Sequence, residues 1–145
     1  MLLTALLLAQ TVPCPSFDVS TPGPFAAWHV EYDSLQVGTA KTLVAGDPER
    51  LSNLPVNNRT GSAAMVAFSI PVAGSYEIAI DQSGWIDLLR GFGGTKPIEP
   101  VSSRDGEPCS PLRRIFRFNL QPGIHRLYLS GLGKPAVRVM LVAGE

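Results

Sequence analysis

The stretch GSYEIAIDQSGWIDLLRG, residues 74–91, decides the fold class because apolar side chains recur in it at every second position. Side chains of an extended chain point alternately to opposite faces, so a period of two predicts a strand with one buried face. The tripeptide Gln82-Ser83-Gly84 interrupts the alternation with Gly in last place, as in three-residue hairpin loops. The stretch therefore predicts two strands, residues 75–81 and 85–90, joined as a hairpin. The residues predicted to point inward are Tyr76, Ile78 and Ile80 in the first strand, and Ile86 and Leu88 in the second.

The same alternation recurs along most of the chain. It predicts further strands at residues 41–45, 63–70, 114–120, 125–130 and 137–142, and a weaker one at 51–56. The chain has 14 Gly and 13 Pro in 145 residues, which suits short strands joined by turns better than long helices. We expect an all-β fold, namely a single antiparallel β-sandwich that is jelly-roll-like, with a polar outer face on each sheet.

The chain begins with an apolar run, MLLTALLLAQ, which has the length of a secretory signal and is too short to span a bilayer. We expect residues 1–12 to be a signal peptide or an apolar N-terminal segment, residues 13–38 a Pro-rich arm, and residues 39–145 the sandwich. The segment Phe25-Ala26-Ala27-Trp28 would tuck the arm into the body. Export without a transmembrane span places the protein in the periplasm or the medium, whereas a buried N-terminal strand is the alternative interpretation of this run.

The two cysteines, Cys14 and Cys109, both lie next to proline. An even number of cysteines in an exported protein predicts a disulfide, which we expect to tether the long loop at residues 91–112. Two separate thiols in a cytosolic protein are the alternative. A zinc site is disfavoured because His29 and His125 show no paired ligand spacing, and we expect no cofactor.

The chain has 12 basic and 12 acidic residues, so its charge gives no reason to expect binding to nucleic acid. Basic residues are nevertheless concentrated in the last quarter. Neighbouring strands there would bring Arg117, Arg126 and Arg138 together on one outward face, beside Tyr128. Such a face would bind carboxylate, sulfate or phosphate groups, or another envelope protein. An ordinary solvated face is the simpler interpretation.

Trp85 and Asp87 lie on the outward face of their strand if Ile86 and Leu88 point into the core. An exposed Trp beside a carboxylate suits a sugar, because the ring stacks on the pyranose and the carboxylate accepts hydroxyl groups. Large aromatic residues are usually well buried, so we expect Trp85 to pack under the long loop or against the arm. Contact with a glycan is the alternative.

No group of residues predicts catalysis. The two histidines lie in unrelated contexts, and we expect a structural role for His125. Asp81 and Asp87 flank the predicted hairpin and would resemble the carboxylate pair of a glycosidase if they faced one cleft, although such pairs are common on solvated strands. The Gly-rich run at residues 91–94 lacks the Lys-Ser/Thr of a phosphate-binding loop. We expect no enzymatic activity.

Two segments repeat the order strand, Gly-containing turn, strand: FSIPVAGSY at residues 68–76 and FNLQPGIH at residues 118–125. In this they resemble the pre-peptidase C-terminal domains and the carbohydrate-binding β-sandwiches, which are accessory modules of secreted enzymes. The resemblance covers roughly the second half of the chain. It implies a sandwich fold and a role in binding.

A second resemblance runs along most of the chain. The motifs PCP (13–15), FAAW (25–28), WIDL (85–88), GEPC (106–109) and LQPG (120–123) are similar to those of a group of small exported bacterial proteins of unestablished function. Some of these carry the label homogentisate 1,2-dioxygenase. That activity needs a cluster of His and carboxylate ligands around iron, whereas this chain has 2 His and places Ser103 and Asp105 where the group tends to have His.

We therefore expect a non-catalytic, exported binding or structural module of the cell envelope. A carbohydrate-binding module that uses Trp85 and Asp87 is the first alternative. A protein-interaction subunit that uses the Arg117, Arg126 and Arg138 face is the second.

Overall fold

The structure is a computed structural model that describes residues 23–52, 54–55 and 60–144. The predicted signal segment, residues 1–12, and Cys14 lie outside the described residues. The predicted disulfide between Cys14 and Cys109 therefore stays a prediction. No helix in the described part of the chain is both long and apolar enough to cross a membrane.

Eight strands and two short 3₁₀ helices form the described structure. The helices are Gly23–His29 and Pro48–Arg50. The strands are β1 (Thr39–Val44), β2 (Ser62–Ile70), β3 (Gly74–Ile80), β4 (Trp85–Arg90), β5 (Ser102–Asp105), β6 (Arg114–Leu120), β7 (Gly123–Leu132) and β8 (Ala136–Ala143).

The strands form two antiparallel sheets that face each other. One sheet has five strands in the order β1-β8-β3-β6-β5, and the other has three in the order β2-β7-β4. The pairs β1–β8, β2–β7 and β3–β6 are nested within one another, which is the pairing pattern of a jelly roll. β5 departs from this pattern because it pairs with β6, and the segment before it forms only a bridge to β4, between Ile98 and Leu88. The predicted all-β sandwich is confirmed.

The main hydrophobic core lies between the two sheets. It is formed by every second residue of the strands, as the alternation predicted. Its fully buried members include Ile70, Ile78, Ile80, Leu88, Phe118, Leu120, Leu127, Leu129, Val139 and Leu141.

The sequence predicted a polar outer face for each sheet, but part of the outer face of the five-stranded sheet is apolar. The first 3₁₀ helix covers part of it, and Phe25 and Trp28 pack there against Ala79 and Met140. Arg138 fixes the helix, since its Nε donates to the Trp28 carbonyl at 2.7 Å and its guanidinium lies 5.7 Å from the Trp28 ring. Phe25 and Trp28 are therefore buried against the body of the protein, as predicted, whereas residues 13–22 of the predicted arm lie outside the described residues.

The outer face of the three-stranded sheet is also partly apolar. Ala63, Leu89 and Tyr128 form a small buried cluster there, and Leu51 and Leu54 pack against it. The described residues of the segment 51–56 form no strand, so the weaker strand prediction is wrong. This segment covers a sheet face instead of adding to a sheet edge.

The predicted hairpin between residues 75–81 and 85–90 does not form. β3 belongs to the five-stranded sheet and β4 to the three-stranded sheet, so Gln82-Ser83-Gly84 crosses from one sheet to the other. The turn at Gln121-Pro122-Gly123 makes the same kind of crossing between β6 and β7. Alternation places side chains correctly on inner and outer faces, but it contains no information about which strands pair.

Candidate functional site

Trp85 is the first residue of β4 and is 59% exposed. The prediction that it packs under the long loop or against the arm is wrong. β4 is an edge strand: it pairs along its length with β7 on one side, and on the other side Leu88 forms a bridge to Ile98. The Trp85 indole therefore lies at the edge of the three-stranded sheet. The indole lies against Gly131 of β7, where a Cβ would be 3.0 Å from Trp85 Cδ1. Gly131 has a positive φ of 65°, and the absence of a side chain there makes room for the ring.

A cleft of about 470 Å³ lies beside Trp85, between β4 of the three-stranded sheet and β6 of the five-stranded sheet. One wall comes from β4 and the other from β6. Its lining residues are Ser83, Gly84, Trp85, Ile86, Arg114, Phe116 and Gly131. We call this the Trp85 cleft. It combines an exposed indole, a second aromatic side chain and a cation.

Arg114 is held in place at the β6 wall of the Trp85 cleft. Its guanidinium lies 5.5 Å from the centre of the Phe116 ring, within the range of a cation–π contact. Nη2 donates to Ser103 Oγ at 3.0 Å. Nε lies 3.6 Å from Asp105 Oδ1, which is an ion pair but too long for a hydrogen bond. The alternation pattern gives no reason to place Arg114 and Phe116 beside Trp85, because this wall exists only if β4 and β6 lie in different sheets.

A second cleft, of about 530 Å³, adjoins the first and shares Ser83 and Gly131 with it. Its other lining residues are Asp81, Gln82, Arg113, Gly133 and Lys134, and we call it the Lys134 cleft. Gln82 is buried and donates from Nε2 to the Ala136 carbonyl at 2.7 Å, which fixes the β3–β4 crossing against β8.

Asp87 does not line the Trp85 cleft, although it shares a face of β4 with Trp85. It is 8% exposed and lies opposite Tyr128 of β7, which is also buried. The covering segment that includes Leu51 and Leu54 lies over this part of the sheet. Neither Asp87 nor Tyr128 is therefore placed to receive the hydroxyl groups of a ligand stacked on Trp85. The predicted Trp85–Asp87 pair is not a surface site.

The predicted face of three arginines is wrong. Arg117 (β6) and Arg138 (β8) lie on the five-stranded sheet, whereas Arg126 (β7) lies on the outer face of the three-stranded sheet, on the other side of the molecule. Consecutive strands β6, β7 and β8 alternate between the sheets, so equal parity does not bring these side chains together.

Each of these arginines has a structural partner. Arg126 is buried, and its Nε donates to the Gly91 carbonyl at 2.7 Å, which fixes the start of the long loop. Arg117 Nη2 pairs with buried Glu77 at 3.2 Å.

Arg138 pairs with Glu31, and its Nη1 donates to Thr42 Oγ1 at 2.8 Å. The Thr42 backbone N–H, at 2.9 Å, together with Arg138 holds the pKa of Glu31 below its ordinary value. The cationic charge of Arg138 is therefore used to hold the segment that follows the first 3₁₀ helix against β1 and β8.

The groups weighed for catalysis are also separated. His125 is 1% exposed and stacks on Phe68 with ring centroids 5.8 Å apart. Its burial lowers its pKa, so the neutral form is favoured. Asp81 lies at the end of the five-stranded sheet, where it accepts the backbone N–H of Arg138 at 3.1 Å, and Asp87 lies on the three-stranded sheet. Within the described ranges, no three His, Cys, Asp or Glu residues are grouped so as to hold a metal ion.

Comparisons of the chain with protein-family models, with curated proteins and with solved structures found no match. The class that the fold and the site define is an all-β sandwich with an aromatic-edged cleft at the meeting point of its two sheets. The resemblances drawn from sequence motifs stay expectations.

Proposed function

We propose that the protein is an exported, non-catalytic binding module and that its ligand is a carbohydrate that stacks on Trp85. The observation that supports this most directly is the 59% exposure of a tryptophan at the rim of a cleft. Tryptophan is highly buried on average, so one held open to solvent on a strand is a candidate contact residue.

The Trp85 cleft has the features that a sugar requires. The indole offers a flat apolar face, and Ser83 and Arg114 offer hydrogen-bonding groups beside it. Its volume of about 470 Å³ falls within the range of small-ligand sites. Because β4 and β6 are strands packed on the core, the two walls are held at a fixed separation before a ligand arrives, which reduces the ordering cost of binding.

The positions of His125, Asp81 and Asp87 support a binding role over catalysis. A general base must be able to reach its substrate, whereas His125 lies inside the core beside Phe68. Asp81 and Asp87 lie on different sheets and so do not form the facing pair of a glycosidase. Neither Asp81 nor Asp87 lines the Trp85 cleft.

Export is supported by the apolar run at residues 1–12 and by the two cysteines. We propose that the protein works in the periplasm or the medium with a Cys14–Cys109 disulfide. The test is the intact mass of the protein from the envelope fraction of its own host, measured without reductant. Loss of the leader and of the two thiol hydrogens is the expected result. A full-length, reduced chain would contradict both proposals.

Carbohydrate binding is tested by isothermal titration calorimetry with soluble oligosaccharides and by retention on insoluble polysaccharides. Trp85→Ala is expected to weaken binding roughly tenfold or more, because the main stacking surface is lost. Phe92→Ala is the matched control, since Phe92 is 65% exposed but follows the opposite end of β4. Equal losses in the two variants, or no binding by the unaltered protein, would refute the proposal.

A further inference from the structure

Arg113 and Lys134 are two exposed cations that line the Lys134 cleft. Neither forms an ion pair with any residue in the described ranges, although Arg104, Arg114, Arg117 and Arg138 all do. Arginine and lysine are usually found on the surface, so exposure alone indicates nothing. The relevant feature is that two unpaired cations share one concave surface.

The backbones that present these cations are fixed. The Arg113 N–H donates to the Ile80 carbonyl at 2.8 Å, which holds Arg113 against the end of β3. Lys134 lies in the short connection between β7 and β8, where the neighbouring Pro135 carbonyl accepts the Ala45 N–H at 2.9 Å. Both side chains therefore extend into the Lys134 cleft from backbone segments that are held by hydrogen bonds.

Carboxylates near the clefts only partly offset this charge. Asp81 lies in the Lys134 cleft, but one of its oxygens accepts the Arg138 backbone N–H at 3.1 Å. Asp105 forms an ion pair with Arg114, with 3.6 Å between Asp105 Oδ1 and Arg114 Nε. Among the residues that line the two clefts, Arg113, Arg114 and Lys134 are cationic and Asp81 is acidic, so this lining carries an excess of positive charge, whereas Asp105 and Glu107 lie around a neighbouring cavity.

The two clefts form one continuous path. They share Ser83 and Gly131, and Gly133 extends the floor without a side chain, since nothing lies within 4 Å of where its Cβ would be. A ligand stacked on Trp85 can therefore continue over Gly131 towards Lys134. A single sugar ring would use one cleft, whereas an oligosaccharide would use both.

We infer that the carbohydrate is acidic: one ring stacks on Trp85, and a carboxylate or sulfate group further along the chain binds Arg113 and Lys134. This inference rests on the proposed function and adds the chemical class of the sugar. Arginine suits this role because its planar fork matches the oxygens of a carboxylate or sulfate, and the flexible lysine adds a second charge. Uronic acids and sulfate esters share this chemistry.

The test uses two pairs of probes, each with the same sugar backbone with and without its charged groups: an oligogalacturonate with its methyl ester, and dextran sulfate with dextran. The full chain is titrated with each probe by calorimetry at low and high salt. We expect the charged member of at least one pair to bind roughly tenfold or more tightly, with an advantage that shrinks as salt screens the interaction. The pair that shows the preference identifies the acidic group.

The double variant Arg113→Gln/Lys134→Gln is expected to lose roughly tenfold in affinity for the acidic probe and to keep its affinity for the neutral one, because each exposed pair contributes about two- to fivefold. Arg90→Gln is the matched control. Arg90 is an exposed cation at the other end of β4, about 16 Å from Trp85 along the strand. It is expected to leave the affinity for both probes unchanged.

The outcomes separate this inference from the proposed function. Equal binding of neutral and acidic probes, reduced by Trp85→Ala but not by the double variant, would overturn the inference and leave the carbohydrate-binding proposal standing. Equal losses in Arg90→Gln and in the double variant would show a response to bulk charge and would also overturn it. Failure of every probe to bind would overturn the inference, and the carbohydrate-binding proposal would fall with it only if the unaltered protein also failed to bind the oligosaccharides and polysaccharides of its own test.

Discussion

The chain has 2 tryptophans, and the structure places them in opposite environments. Trp28, in the first 3₁₀ helix, is 2% exposed because it packs against the five-stranded sheet, and Trp85 is 59% exposed at the cleft. Replacing each in turn by alanine is therefore a matched test of the placement on which the functional proposal depends. We expect Trp28→Ala to be strongly destabilising and Trp85→Ala to be mildly so.

The difference in stability follows from burial. An aromatic side chain buries about 150–250 Å², and at about 25 cal/mol per Å² this corresponds to about 4–6 kcal/mol as an upper estimate. Removing Trp28 is expected to cost about 3–5 kcal/mol, because it also leaves a cavity over Met140 and removes the surface under Arg138. About two-fifths of Trp85 is buried, so the same calculation gives about 2 kcal/mol as an upper estimate, and no closed cavity adds to it because the site opens to solvent.

Urea unfolding of the unaltered protein and the two variants, followed by circular dichroism, gives the free energies of unfolding. Two further variants, Trp28→Phe and Trp85→Phe, each leave a single tryptophan as a fluorescent reporter. The Trp85 reporter is expected to be quenched readily by iodide and to respond to an added glycan. The Trp28 reporter is expected to be shielded from iodide and to be insensitive to the glycan.

A loss of stability in Trp85→Ala equal to that in Trp28→Ala would show that Trp85 is packed, as the sequence alone suggested. Strong shielding of Trp85 from iodide in the folded protein would lead to the same conclusion. Either result would remove the main observation behind the proposed function.

Three further predictions concern other parts of the fold. Because burial lowers the pKa of His125 below 6.5, the unfolded chain binds more protons than the folded one at acidic pH. The stability provided by neutral His125 is thus present above about pH 6.5 and is lost as the pH falls from there through the lowered folded-state pKa. In urea titrations at decreasing pH, the free energy of unfolding should therefore fall less in His125→Phe than in the unaltered protein. Gly131→Ala should cost about 1–2 kcal/mol, since φ is 65° there, and should shift the Trp85 emission as the ring is displaced. Glu77→Gln should cost about 1–3 kcal/mol in urea unfolding, because a buried carboxylate that pairs with two arginines loses its charge, and an unchanged midpoint would contradict the burial of that carboxylate.

Much of the fold was accessible from the sequence because the side-chain period of a strand is strict. Ile86 and Leu88 point inward and Trp85 outward, as their spacing predicted, and Phe118 and Leu120 likewise lie in the core. A shift of one residue would bury the polar set, so the pattern fixes the face of each strand strongly.

Strand pairing was not accessible in the same way. The loop Gln82-Ser83-Gly84 has the composition of a hairpin, yet it crosses between sheets. A short Gly-containing loop fits either path, and the choice depends on distant partners: β3 pairs with β6 and β8, and β4 with β7. The mistaken arginine face arose from the same cause.

The candidate site depends on that strand pairing, so the sequence could predict only part of it. Trp85 and its outward direction followed from the sequence, but its exposure did not, because exposure depends on what lies beyond the edge of β4. Arg114 and Phe116 come from a strand of the other sheet. The doublet Arg113-Arg114 at the start of an apolar strand was the available signal, and it becomes informative only once β6 is placed opposite β4.

The position of β8 has a consequence for how the chain folds during synthesis. β8 lies between β1 and β3, and its inward residues Val137, Val139 and Leu141 are fully buried, so the last of the eight described strands in chain order is an interior strand of the larger sheet. A nascent chain that ends before Ala136 has β1 and β3 but no strand to join them. Sheets assembled from such distant segments form slowly, typically in milliseconds to seconds. Substitutions in β8 are therefore expected to lower the folding rate as well as the final stability.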